Sequence, residues 1–454
     1  MPAIPKAQAP ALVQFYNWVF HPLAFMETHY RQMGDRFLAR GTLMDWIFLS
    51  HPDDLKYVLT HDGQELSAPG EYNKILTNLL GHNSLMLLSG AQHRQRRQLV
   101  MPPFHGERLK VYGELIRTIT REAIAGLAPG QAFKAREMTQ RISMQIILQA
   151  VFGLRQGERC QRLGKLLAQR LDLSSGPLGS ALIFLPLLRR DWGAWSPGHQ
   201  LKALAQQIDD LIFSEIQACR ANPDPDRSDI LSLLLAARDA EGHGLSDQEL
   251  RDELMTLLVA GHETTATAIA WSLYWVHHMP EVGARLRQEL ETAGSLDPVA
   301  LTRLPYLSAV CNETLRIYPV GMLTFPRRVE QPITLQGYDY NPGDVLVGAI
   351  YLLHRRPDLY PEPDQFRPQR FLDRQYGPFE FMPFGAGARR CVGAALAMYE
   401  MTIVLATLLQ EYDLSLASDR PVQPQRRGIT LSMKGGVDMV YRGKHPLPEL
   451  VAEV

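Results

Sequence analysis

The sequence predicts a mainly α protein with small β-sheets, folded as one domain. Three observations carry that reading. Ser246-Asp247-Gln248-Glu249 has the form of a capping box, a serine N-cap with glutamate three residues on. No proline follows it until Pro280, which permits a helix of roughly 30 residues, about 45–50 Å at 1.5 Å per residue. Residues 91–290 read as further helices broken by Pro, Gly and polar loops. Strand-like runs are short and do not alternate regularly with helices, which excludes a doubly wound sheet.

The elements follow in order. Residues 1–20 read as an extended, Pro-rich lead-in. Residues 37–40 and 45–49 predict a small hairpin, and His51-Pro52 starts a helix. Residues 64–90 read as loop, being rich in Gly, Ser, Asn and Pro. After Pro305 one more helix is expected, then short strands at 333–335 and 345–347 and an irregular stretch over 357–384. A final helix begins after Cys391 and runs toward Leu409, and residues 412–441 alternate like short strands.

Composition narrows the class. The 454 residues would suit about three average domains, but the best linker candidate, residues 221–229, is only a short polar loop, so 1–454 is read as a single domain. With 46% hydrophobic and 21% charged residues the chain is globular, and a formal charge of −1 gives no global attraction to nucleic acid. Cys160, Cys219, Cys311 and Cys391 are widely spaced without a C-x-x-C pair, which argues against a disulfide framework or zinc knuckle and suits a reducing cytoplasm. The opening residues lack both a run of about 18 apolar residues and a signal-peptide pattern, so neither a membrane span nor secretion is expected.

The chemistry begins at Phe384-Gly385-Ala386-Gly387-Ala388-Arg389-Arg390-Cys391-Val392-Gly393. A cysteine leading into a helix has its thiolate favoured by the dipole and by free N–H groups. Glycines before it permit a tight turn, the small residues after it let a flat cofactor lie close, and Arg389 supplies a cation. An isolated cysteine is most often simply buried, and Cys160, Cys219 and Cys311 are read so. The flanking loop reverses that reading for Cys391. The pattern, F-x-x-G-x-R-x-C-x-G, resembles the haem-binding loop of cytochromes P-450, in which Cys391 would ligate the iron and Phe384, Gly385, Arg389 and Gly393 would frame the cofactor.

Three further motifs extend the resemblance. Ala260-Gly261-His262-Glu263-Thr264-Thr265 lies mid-helix, where an acid followed by a hydroxyl is out of place. Gly261 costs about 1 kcal/mol there, which suggests that dioxygen or the haem face passes close. The resemblance assigns Thr264 to dioxygen and Glu263 to inward proton relay, with Ala260 and Gly261 against the cofactor. A zinc-protease helix is excluded because H-E-x-x-H fails at Ala266. Glu313 and Arg316 share one helix face, and the resemblance implies that Arg370 joins them in a buried structural cluster. Gln369 stands where the family commonly has Glu. His93 and Arg97, at i and i+4, would meet the haem propionates. Arg94 and Arg96 would point elsewhere as a basic patch for an acidic electron donor. Arg327 rather than Arg328 is taken as a further propionate partner, and His354 is a weaker candidate at the haem edge.

These motifs span residues 91–393. The resemblance implies a single triangular domain enclosing haem b, O2 as co-substrate, and electrons from NAD(P)H through a separate ferredoxin or flavodoxin and its reductase. The run from His93 to Arg108 looks most like bacterial members acting on fatty acids, alkanes and terpenoids. The expected substrate is therefore a lipophilic small molecule: a fatty acid, a terpenoid or a secondary-metabolite intermediate. Substrate contacts are expected in residues 67–88, 171–188, 257–260, 320–325 and 430–434. Leu182, Ile183, Phe184 and Leu185 read equally as core or as a channel lip, and Arg189 and Arg190 are candidates to hold a carboxylate. Two alternatives are a peroxygenase or isomerase on this scaffold, disfavoured by the intact Glu263-Thr264 pair, and a non-enzymatic haem protein.

Overall fold

The computed structural model describes every residue except 1–2, 42–43, 105, 154–156, 174–189, 225–226, 228, 240, 295–296 and 446–454. The long helix forms as the capping box predicts, over Asp247–His278. Ser246 Oγ accepts from the Glu249 amide, and the Glu249 carboxylate accepts from the Ser246 amide at 2.9 Å. The helix stops at Met279 because Pro280 opens the next one, Pro280–Ala293.

This long helix runs through the main core and packs most extensively on Ala135–Phe152. That neighbour grips its backbone at two carbonyls: Thr139 Oγ1 donates to Ala266 O at 2.9 Å and Ser143 Oγ to Gly261 O at 3.4 Å. A Cβ on Gly261 would lie 2.9 Å from Ile147 Cδ1. The glycine thus stands where an added side chain would press on the neighbouring helix.

The helix after the cysteine, Ala394–Glu411, packs against both the long helix and Glu107–Ile124. Among the described residues it is the one helix long and apolar enough to cross a membrane, and most of it is buried in the core. Its one buried acid is Glu400, 3% exposed, which burial holds protonated up to about 8 against a partial offset from Ser143. Its folded pKa lies above the unfolded value of 4.5. Its contribution is therefore fully present below 4.5 and is lost as pH rises toward 8. Glu400→Gln should stabilise the fold relative to the parent, with a gain that grows across that window and exceeds about 1 kcal/mol at its upper end. Denaturant titrations at several pH values measure it, and a pH-independent difference would remove Glu400 as the cause.

The sheets are small. A five-stranded sheet runs in the order Arg36–Ala39, Trp46–Leu49, Val345–Gly348, Arg327–Val329, Leu66–Ser67, antiparallel throughout except between its second and third strands. Asp438–Lys444 lies between Ala132–Lys134 and Tyr412–Leu416, and Pro424–Arg427 forms a hairpin with Thr430–Met433.

Two segments differ from expectation. The lead-in is extended only at its start, and Ala11–Phe20 is a helix. Gln14 is its buried anchor, donating to the carbonyls of Ala7 and Ala9 and accepting from the Arg40 amide. Residues 64–90 hold a 3-10 turn, Gly70–Leu76, and a short helix, Thr77–Leu80. Each segment is held by contacts from distant parts of the chain.

Candidate active site

The cysteine loop is shaped by its glycines. Gly385 and Gly387 both have positive φ, 66° and 67°. A Cβ on Gly387 would stand 2.0 Å from the Leu59 carbonyl oxygen, so only glycine fits there. The Cys391 amide donates to Phe384 O at 2.9 Å and closes the loop. The regular helix begins at Ala394, with Gly393 as its N-cap. The Gly393 amide is directed at the Cys391 thiol. Burial pushes that thiol up, against the pull of this amide, Arg97 and Arg390. A metal bound by this sulfur would deprotonate it outright. Cys391 is accessible although protein crowds it on nearly every side. It is therefore reachable within a recess of the protein, and Ala260, midway along the long helix, is accessible too.

Beside the loop lies a cluster of basic side chains. His93 is 4% exposed and Arg327 is fully buried, while Arg97 and Arg389 are partly buried. Burial, then Arg389, Arg97 and Arg327, hold the His93 imidazole neutral down to about 3. Burial and Arg327 likewise draw Arg389 down to about 10. Asp62 faces Arg327 at 2.5 Å. Among the described residues, three guanidiniums against this one carboxylate leave two positive charges uncompensated. Arg389 Nε and Arg327 Nη2 are buried without a hydrogen-bond partner among the described residues. Such atoms are costly unless an anionic group meets them, and two propionates beside a thiol ligand match both the charge and the orphaned donors. Haem thus fits the residues present. Arg389 also donates to the carbonyls of Leu85, Ala68 and Leu88, at 3.1, 2.6 and 2.5 Å, and lies over the Phe325 ring at 4.6 Å, tying the cysteine loop to residues 68–88.

On the strand Arg327–Val329 the two arginines face opposite ways. Arg327 turns inward, while Arg328 is 40% exposed and pairs with Glu330. Arg96 does not join Arg94 in a surface patch. It is buried and bonds Glu249 and Glu253 of the long helix. His354 is not at an open edge either. It is fully buried, accepts from the Met382 amide at 3.0 Å and packs beside Phe381, bracing the chain just before the cysteine loop.

Glu313, Arg316 and Arg370 form the expected cluster. Glu313 takes Arg316 at 2.7 and 2.8 Å, Arg370 at 3.1 Å and the Arg367 amide at 2.7 Å. Arg316 also donates to the carbonyls of His354, Pro363 and Gln365. Gln369 stands outside the cluster, on Arg285 and Asp373, so its departure from the usual Glu costs nothing there.

On the long helix, Thr264 Oγ1 donates to Ala260 O. Glu263 is held from three sides, by Arg136 at 2.6 Å, Gln140 at 2.7 Å and Arg427 at 2.8 Å. Burial pushes the Glu263 carboxyl up, but Arg136 and Arg427 more than offset this and hold it below the usual range. Sequence reasoning missed Arg136, Gln140, Arg427 and Asp62, for which no contiguous motif exists. Of residues 257–260, Leu257 and Leu258 are core, and only Val259 and Ala260 are open. Arg190 is exposed, whereas Leu182 to Leu185 and Arg189 lie outside the described residues.

The family model for "Cytochrome P450" matches residues 12–437. A Mycobacterium tuberculosis protein named "Putative cytochrome P450 135B1" is 33% identical over 429 residues, covering 94% of this chain and 89% of its own length. A second, "Putative cytochrome P450 138" of the same organism, is 33% identical over 446 residues, covering 96% of each. In fold, the chain is similar to a retinoic acid bound cyanobacterial CYP120A1, with a TM-score of 0.84, 24% identity and 97% and 99% of the two chains covered. It is also similar to the cytochrome P450DA heme domain, with a TM-score of 0.84, 20% identity and 98% and 99% covered. The class is that of haem-dependent monooxygenases, which draw electrons from redox partners. The chain belongs to the cytochrome P450 family.

Proposed function

We propose that residues 1–454 form one domain that holds haem b through Cys391 and oxidises a lipophilic small molecule with O2. The observation that carries this reading is an accessible Cys391 inside crowded protein, beside three guanidiniums that face one carboxylate among the described residues. Arg97, Arg327 and Arg389, with neutral His93 as a hydrogen-bond partner, would hold the propionates, and Gly385 and Gly387 give the cysteine loop its tight turn. Bound haem supplies the activation of dioxygen and the attack on an unreactive C–H bond. The chain supplies position and protons. Thr264 Oγ1 donates its own hydrogen to Ala260 O and keeps lone pairs to accept a hydrogen bond from a group beside it. Glu263, one residue earlier, is the acid that exchanges protons with the outer side of the helix. Val259 and Ala260 offer an apolar surface to the substrate.

Electrons come from NAD(P)H by way of a ferredoxin or flavodoxin and its reductase, and the protein works in the cytoplasm. Titrating ferric protein with fatty acids, terpenoids and macrolides, and following the haem spin state, tests the substrate class. A saturable shift with one class supports it. No shift with any of them, in protein whose thiolate signature is sound, would refute the lipophilic reading. Thr264→Ala should keep haem binding yet divert electrons to hydrogen peroxide, measured as peroxide formed per O2 consumed. Unchanged coupling would take Thr264 out of the chemistry.

A further inference from the structure

The Arg427 guanidinium serves two carboxylates at once. Its Nε lies 2.8 Å from Glu263 on the long helix, and its Nη2 donates to Asp172, at the end of Glu158–Leu173, at 2.7 Å. Arg427 itself comes from a third element, the hairpin strand Pro424–Arg427. The side chains differ sharply in exposure, with Glu263 at 12%, Arg427 at 20% and Asp172 at 67%. Glu263 is also held by Arg136 and Gln140 from the helix Ala135–Phe152. His262, 2% exposed with Nδ1 unpartnered among the described residues, feels the charges of Glu263, Arg136, Asp172 and Arg427. A cavity of about 210 Å³ adjoins the cluster, lined in part by Lys134, Arg136, Glu137 and Arg427, so water reaches its outer side.

We infer that Arg427 is a positioning residue that sets how tightly Glu263 is held, and that Asp172 tunes this by competing for the same guanidinium. A carboxylate clamped by two arginines and an amide is a poor carrier. To move a proton it must loosen from them, and every share of Arg427 taken by Asp172 makes that easier. The element bearing Asp172 is thereby coupled to the acid of the A-G-x-E-T-T motif without touching it. This rests on the reading that Glu263 handles protons.

The geometry demands effects of opposite sign. Removing Arg427 loosens Glu263, whereas removing Asp172 leaves Arg427 wholly to Glu263 and tightens it. The first readout is the infrared carboxyl band of Glu263, assigned by its loss in Glu263→Gln and followed against pH in haem-free and haem-loaded protein. Arg427→Gln should raise its titration midpoint and Asp172→Asn lower it, each by about half a pH unit, as befits ion pairs partly open to water. Arg427→Lys, which keeps the charge, should stay near the parent.

The second readout is oxygen reduction by the haem-loaded protein without added substrate, driven by a surrogate plant-type ferredoxin and its reductase. The solvent deuterium isotope effect and the peroxide share should fall in Arg427→Gln and rise in Asp172→Asn. Arg427 as mere scaffolding would not give opposite signs. Midpoints that move together, or do not move, overturn the inference. If Glu263→Gln leaves the peroxide share unchanged, the proton role of Glu263 fails, and the infrared arm still decides whether Asp172 competes for Arg427.

Discussion

Cys391→Ala is expected to abolish the thiolate-type spectrum of the reduced CO complex and to leave turnover undetectable, in protein that still folds. The side chain is accessible within a recess rather than set in packed core, so its loss should cost about 1 kcal/mol or less. The effect is thus separable from unfolding by circular dichroism and thermal melting. Within this site the Gly393 amide and the charges of Arg97 and Arg390 all favour an anionic sulfur at residue 391. Cys311 is the internal control. It is fully buried, its thiol is pushed up to about 12, and its alanine variant should keep the thiolate spectrum. A thiolate spectrum surviving in Cys391→Ala would refute the ligand assignment.

Glu313→Gln should be the most destabilising of the conservative changes. Glu313 and Arg316 are both fully buried, and Arg370 is 5% exposed. Gln keeps the shape but removes the only negative charge that the two guanidiniums share in that cluster. Breaking a buried pair on one side costs about 3–5 kcal/mol, a large part of a typical stability of about 5–15 kcal/mol. Arg316 also ties three carbonyls in residues 354–365 together, so the loss should spread toward the cysteine loop by way of His354. Soluble yield, thermal midpoint and haem content should all fall. A change smaller than about 1 kcal/mol would make the cluster an ordinary surface pair in energetic terms.

Much of the site was legible because its signals are contiguous. The capping box at Ser246, the loop from Phe384 to Gly393 and the pair Glu313–Arg316 each lie within ten residues, where backbone geometry alone fixes which groups meet. Arg370 was legible only through family resemblance, since nothing local points it at Glu313. The Arg94–Arg96 patch failed for a related reason. A basic helix read alone looks solvated, and nothing near Arg96 in the chain announces that Glu249 and Glu253 will cover it.

The sequence by itself determined the fold class, the glycine-framed loop that carries Cys391 and the place of Glu263 and Thr264 on the long helix, because short-range backbone rules and small-residue spacing encode them. Only the tertiary structure decided which arginine of Arg327 and Arg328 turns inward, what an added side chain at residue 261 would meet, and what holds Glu263. A strand sends neighbouring side chains to opposite faces, and which face is buried depends on what packs there. Gly261 answers to Ile147, and Glu263 to Arg136 and Arg427, which reach it from separate elements. Close packing and charge pairing between distant segments exist only once the chain has brought them together.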